Sequence, residues 1–410
     1  MNMDVSMKKP VRWHFLLIGS LSMLFSGIIY AWSILKTPFS TEFGWTASQL
    51  ALNFTLIMCF FCIGGMAAGM LIKKTSPKTI VIFSALFTCF GFILVSVMSG
   101  RSIFTLYLSY GLLCGFGIGM AYNVIIATVN SWFPDKKGTC SGILMMSFGA
   151  STLILGNIAS HMFKADNIGW RNTYMVLGIA TGIILLFAAL FLKFPPDTVQ
   201  LPRASLNKKS NTREDFESRD YTTSEMIRRF TFWRFFLFLV TLAATGSTVI
   251  SFARDLAINI GATETLAITL VGVLSVFNGL GRIICGVLFD LAGRKKAMLF
   301  ANIVTISAPT ILLISLLTSS VVTGILGFCL VGISYGCAPT ISSAFIGSFY
   351  GTKYFSLNFS IANTMLIPAS FTATLAGALI TGTGSYIAPI ILLIALAIMS
   401  LLLNLSIKRP

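Results

Sequence analysis

From residue 297 to residue 352 the chain carries no Asp, Glu, Lys or Arg, and residues 354–407 carry none either. A helix needs about 20 apolar residues to cross a bilayer core, so each stretch is close to twice a span. Polar turns sit midway in both, at Thr318-Ser319-Ser320 and at Thr381-Gly382-Thr383-Gly384-Ser385. Upstream, charge-free stretches occupy 13–35, 43–72, 79–100, 102–134, 138–163, 172–192, 235–253 and 265–289, the last interrupted only by Arg282. Hydrophobic residues make up 56% of the 410 positions and charged residues 10%, against roughly 25% charged in soluble domains. A soluble chain of this size could not hide so much apolar surface. The sequence therefore predicts an all-α membrane protein of twelve transmembrane helices in two six-helix bundles. The bundles are expected at 1–193 and 232–410, joined by a charged connector at 194–231.

Lys and Arg set the expected orientation. With the N-terminus inside, the loops and tails of that face hold 23 of the 29 basic residues, and the opposite face holds Lys36, Arg101, Lys164, Arg171 and Arg254. This predicts a multi-pass protein of the cell (inner) membrane with both termini cytoplasmic. The net charge of +16 then reports topology and attraction to anionic lipid, and no nucleic-acid partner is expected. The basic start and apolar run at the N-terminus read as a retained first helix rather than a signal peptide. All eight cysteines fall in or beside expected spans. The Cys59-x-x-Cys62 pair has no histidine or second pair beside it, which favours packing over a metal site.

Two loops match at a fixed spacing of 217 residues. Gly69-Met-Leu71-Ile-Lys73-Lys74 corresponds to Gly286-Val-Leu288-Phe-Asp290, and Ser131-Trp-Phe-Pro-Asp135-Lys136 to Ser348-Phe-Tyr-Gly-Thr-Lys353. A shared offset implies two homologous halves, the parallel repeat of a transporter fold. The run Gly286-Val-Leu-Phe-Asp290-Leu-Ala-Gly293-Arg294-Lys295 resembles the G-x-L-x-D-[RK]-x-G-[RK]-[RK] loop of the major facilitator superfamily. Glycine there is expected to let helices approach closely, Asp290 to cap or pair, and Gly293 to form the turn. The first copy is degraded: Lys73 stands where the acid belongs and Ser76 where the second glycine belongs. Tyr122, ten residues before Trp132-Phe-Pro-Asp-Lys-Lys-Gly138, is followed after that run by Ser141-Gly142. Together with Ser224-Glu-Met-Ile-Arg228, Phe232-Trp233 and Gly281-Arg282, this resembles the oxalate:formate antiporter family, which is related to the monocarboxylate transporters. The likeness covers essentially the whole chain.

Arg282 is the main candidate for chemistry. It lies eight residues, about 12 Å of helix rise, before Asp290, and an arginine at that depth marks a functional site unless backbone carbonyls hold it. A guanidinium fork suits a carboxylate. All thirteen acids fall in tails, loops or span ends, leaving no interior carboxylate to neutralise it and no obvious proton carrier. This favours exchange or uniport over proton symport.

The resemblance adds Tyr30, Tyr122 and Tyr335, which match substrate-lining tyrosines of the antiporter family, while Phe148 stands where that family has a tyrosine. Leu366 stands where oxalate-carrying members have a lysine. Lys36 matches loosely a span 1 lysine of monocarboxylate transporters and is expected at the outer mouth. Pro339 and Pro368 are candidate bending points, and Gly69, Gly286, Asp290, Gly293, Arg294 and Asp135 candidate gating residues. With one interior cation, a small monocarboxylate fits better than a dianion.

The expected function is a secondary transporter of a small organic anion, working by alternating access as a monomer without cofactor, metal or enzymatic activity. The alternatives are an exporter of amphiphilic compounds and a non-transporting sensor or scaffold on the same fold.

Overall fold

The computed structural model describes residues 12–72, 74–99, 102–133, 137–165, 167–196, 220–351 and 354–407. Twelve of its helices are long and apolar enough to cross a membrane. Spans 1 to 6 are Trp13–Phe43, Ala47–Leu71, Pro77–Ser96, Ile103–Trp132, Cys140–Lys164 and Gly169–Phe191. Spans 7 to 12 are Phe230–Asn259, Glu264–Phe289, Leu291–Thr318, Val321–Tyr350, Leu357–Thr383 and Ile387–Ser406. There is no strand among the described residues.

Hydroxyl residues in the turns start many of these helices by accepting otherwise orphaned backbone N–H groups. Thr46 and Gln49 form a capping box at span 2, Ser76 caps span 3 ahead of Pro77, Ser102 caps span 4, Thr263 caps span 8 and Ser320 caps span 10. Ser76 therefore has its own function in the degraded loop, beginning a helix where a turn glycine was expected. Both expected mid-stretch turns are present: Ser319 ends span 9 in the left-handed region and Gly384 ends span 11 likewise. Gly293 breaks the helix between spans 8 and 9 at φ 79°, the turn its motif position implies.

The repeat is visible in three dimensions. In the first half, a Cβ on Gly64, Gly115 or Gly119 would fall closer than 3.0 Å to the backbone carbonyl of Phe116, Ile57 or Phe61, where spans 2 and 4 cross. In the second half the same holds for Gly281 against Ile333, Gly332 against Leu274 and Gly336 against Asn278, where spans 8 and 10 cross. Every glycine, and every carbonyl it meets, lies 217 residues from its counterpart. Backbone-to-backbone approach of this kind substitutes for the hydrophobic drive that lipid-embedded helices lack.

These crossings correct the expectation for Gly69 and Gly286. A Cβ on Gly69 would meet nothing within 4 Å, and one on Gly286 would make an ordinary 3.6 Å contact with Thr340. The tight packing lies more than a turn deeper, because the helices diverge toward the motif loops. Asp135 and the side chain of Asp290 lie outside the described residues.

Two boundaries also differ from expectation. Span 1 continues past Lys36 through a helical turn beginning at Thr37 and Pro38, ending at Phe43. Span 7 runs from Phe230 to Asn259 rather than over 235–253, enclosing Arg254 and Asp255; ion pairing allows both charges to stay in the helix. In the connector, the short helix Thr223–Ile227 is capped by Thr222 in a capping box with Glu225. Residues 197–219 lie outside the described residues, and Tyr221 and Met226 at the connector's end are buried.

Substitution of the crossing glycines should be costly. Gly119→Ala and Gly336→Ala should each lose about 1–3 kcal/mol, the usual cost of overpacking, and Gly69→Ala should be neutral. Melting of the three purified variants in detergent checks this; equal melting temperatures would contradict the packing described.

Candidate functional site

Spans 1, 2 and 4 from the first half and spans 8, 10 and 11 from the second enclose a cavity of about 130 Å³. Arg282, Tyr30, Tyr122 and Tyr335 all line it, and so does Leu366. The structure thus brings together four residues separated by up to 305 positions. Arg282 lies immediately after Gly281, whose contact with the Ile333 backbone seats span 8 against span 10. The glycine crossing fixes the helix that carries the guanidinium.

Arg282 Nη1 donates to Tyr122 Oη at 3.3 Å and also contacts the Met145 thioether. Both partners are neutral and both belong to the first half, so the guanidinium reaches across the interface. Among the described residues no carboxylate pairs with it. A buried cation without a counter-charge is unfavourable in a low-dielectric interior, and a cavity beside it gives an anion a place to sit. Phe148 lies between two of the tyrosines, with ring centroids 5.1 Å from Tyr30 and 5.2 Å from Tyr122 and nearly perpendicular planes. Tyr30 and Tyr335 meet edge-on at 6.3 Å from opposite halves. Phe148 therefore supplies an apolar wedge that sets the angle of both tyrosine rings.

The spans 10 and 11 prolines are both near this cavity. Pro339 lines it directly. Pro368 cannot donate to the Thr364 carbonyl, which instead accepts from Ile367 at 2.9 Å. Span 11 is accordingly broken between Phe355–Asn363 and Leu366–Thr383. The first segment places Phe359, Ser360 and Asn363 on the cavity wall, three residues that the sequence reading missed. Their signal was the proline five residues after Asn363.

Lys36 is not in the cavity. Its ammonium pairs with Asp255 at 2.8 Å, donates to the Ser251 carbonyl at 3.0 Å and stands 4.3 Å from the Phe252 ring centroid. This ties span 1 to span 7 on the face opposite the termini. A second pair on that face joins Lys164 of span 5 to Glu264 of span 8 at 2.8 Å, and Glu264 also accepts from Arg254 at 2.9 Å. Asp255 was the partner that sequence placed outside the helices. Its spacing from Ser247 and Ser251, two successive helical turns on one face, was the available signal. Of the loop-motif residues, Arg294 stacks its guanidinium 5.0 Å from the Phe349 ring centroid, within the second half.

A bundle of twelve apolar helices, bridged at one face by ion pairs between its halves and holding a cavity at their interface, is the architecture of a membrane transporter. The model of the Major Facilitator Superfamily matches residues 15–254, and the chain belongs to that superfamily. It is 24% identical over 361 residues to the uncharacterized MFS-type transporter YhjX of Escherichia coli, covering 88% of this chain and 86% of that one. It is also 24% identical to the oxalate:formate antiporter of Oxalobacter formigenes, over 70% of this chain and 65% of the other. Human monocarboxylate transporter 2 is 23% identical over 52% of this chain and 44% of its own length. Among solved structures, an inward-facing bacterial homolog of the lysosomal transporter Spinster superposes with a TM-score of 0.70 at 16% identity, covering 98% of both chains. The nucleoside transporter NupG superposes at 0.71 and 10% identity, covering 97% of this chain and 100% of that one. These two likenesses concern the fold.

The Lys36–Asp255 pair yields a direct test. Asp255→Leu alone strands the Lys36 ammonium and should cost about 2–3 kcal/mol, where removing one partner of a fully buried pair costs roughly 3–5 kcal/mol; Lys36→Met should cost less, because Asp255 is partly exposed and Arg254 still lies 3.4 Å from it. The double variant should be more stable than either single one. Thermal melts of the three variants check this, and additive losses would show that the pair is not coupled.

Proposed function

We propose that the protein carries a small monocarboxylate across the membrane by alternating access, through exchange or uniport. The observation that carries this reading is Arg282: a guanidinium at the wall of a small aromatic cavity, held among the described residues by a phenol and a thioether. A carboxylate would accept both arms of the fork, while Tyr122, Tyr30 and Tyr335 would donate to its remaining lone pairs. Leu366 on the cavity lining offers no second cation. A dianion would therefore leave one carboxylate uncompensated, at several kcal/mol. The relatives named as an oxalate:formate antiporter and a monocarboxylate transporter support a carboxylate substrate.

In this reading residues 1–193 and 232–410 rock about the cavity, with 194–231 as the tether between them. The excess of basic residues on the terminal face puts both termini in the cytoplasm. The Lys36–Asp255 and Lys164–Glu264 pairs then hold the outer face closed, and the cavity belongs to an inward-facing state. Gly286, Asp290, Gly293 and Arg294 would govern closure of the inner face at the end of span 8, as Gly69 would at the end of span 2 and Asp135 after span 4. An exporter of amphiphilic cations would want acidic side chains in the cavity, and among the described lining residues there are none.

Uptake into proteoliposomes of labelled formate, acetate, lactate and pyruvate, set against oxalate and succinate, tests the proposal. At least one monocarboxylate should be favoured about a hundredfold over the dianions, since each 1.4 kcal/mol is a factor of ten. Arg282→Lys should weaken uptake by losing the bidentate fork, Arg282→Gln should abolish it, and Leu366→Lys should shift preference toward dicarboxylates. Oxalate moved as well as any monocarboxylate, or normal uptake by Arg282→Gln, would overturn the reading.

A further inference from the structure

The segment Phe355–Asn363 is mechanically unusual. Its C-terminal end stops at the Pro368-induced break, where Thr364 and Met365 make only short-range bonds to Ile361 and Ala362. On its N-terminal side, span 10 ends at Gly351 with φ 80°, a left-handed conformation that suits glycine alone. The segment is thus a two-turn helix between a glycine helix stop and a broken turn, and it carries Phe359, Ser360 and Asn363 on the cavity wall. On the same cavity lining, the Cys62 thiol of span 2 lies 3.9 Å from the Asn363 carbonyl.

What holds this helix in place comes from the connector. Asn358, fully buried, donates from Nδ2 to the Tyr221 carbonyl at 3.0 Å and accepts on Oδ1 from the Thr223 hydroxyl at 2.8 Å. Tyr221 in turn donates its backbone N–H to the Tyr350 carbonyl at 3.0 Å and packs its ring edge-on against Tyr350 at 5.5 Å. The buried Met226 and the Thr222–Glu225 capping box make this end of the connector a rigid unit. One asparagine thus joins the connector to the helix through both the nitrogen and the oxygen of its side-chain amide.

We propose that residues 221–227 form a strap, and that Asn358 is the positioning residue through which it sets the Phe355–Asn363 helix as a lid over the cavity mouth. The connector is the chain's covalent link to the first half, and this joint is where it meets the lid. The Asn358 amide is neutral and its two bonds are directional. It can hold the lid in one register and release it at modest cost, which a buried ion pair could not do. The proposal rests on reading the cavity as the transport site. Its test needs no substrate, so the two can fail separately.

The test uses Cys62 as reporter on the full-length protein in detergent. N-ethylmaleimide labelling is followed peptide by peptide, with Cys89, between spans 3 and 6, as internal reference. Thr223→Val and Asn358→Ala should each speed Cys62 labelling at least threefold while leaving Cys89 at the parent rate, and Thr223→Ser, which keeps the hydroxyl, should label as the parent does. Thr223 is only half-buried, so its variant remains informative should Asn358→Ala fail to fold. An unchanged or slower rate at Cys62, or equal acceleration at Cys62 and Cys89, would overturn the strap; the last would mean general loosening of the bundle.

Discussion

The structure is organised around one cation that the membrane interior disfavours. A charge at mid-helix depth is tolerated only where it faces protein or water, and Arg282 faces the interface between the two halves, with Tyr122 and Met145 as its neutral neighbours. A guanidinium stays charged at any accessible pH, so the interior cannot relieve the charge by deprotonation. The closed face, the aromatic wall and the broken span 11 are arranged around that residue.

The glycine crossings explain how such a residue can be positioned accurately in a lipid-embedded bundle. Gly281 and Gly336 bring spans 8 and 10 to backbone contact in the turn that leads into Arg282, as Gly64 and Gly119 do for spans 2 and 4. Where the first half has Gly65, at the same offset, the second has Arg282. The ancestral symmetry of the halves is thus retained in their packing and broken at the site. The first half contributes aromatic rings and neutral hydrogen-bonding groups, and the second contributes the charge.

Much of this was legible in the sequence. The absence of charge over long stretches determines the spans, because lipid admits little else, and Arg282 stood out against that background. The tyrosines came from a resemblance, and they line one cavity. Other features were not legible because they depend on pairs remote in sequence. Asp255 looked like a loop acid until Lys36 neutralised it, and span 7 was then free to extend past both Arg254 and Asp255. Gly69 and Gly286 looked like contact glycines from their motif, whereas contact depends on where helix axes converge. The connector's polar composition gave no hint that Tyr221 and Met226 would be buried, since their partners Tyr350 and Asn358 lie more than a hundred residues away.

The central claim is that the cavity at Arg282 binds a carboxylate, and ligand-dependent melting of the purified protein addresses it most directly. A ligand of the folded state at a hundred times its Kd adds about 2.7 kcal/mol of stability. The melting temperature should rise saturably with one or more small monocarboxylates and little with their amides. That rise should disappear in Arg282→Gln. Stabilisation that persists in Arg282→Gln, or that amides produce equally, would contradict it.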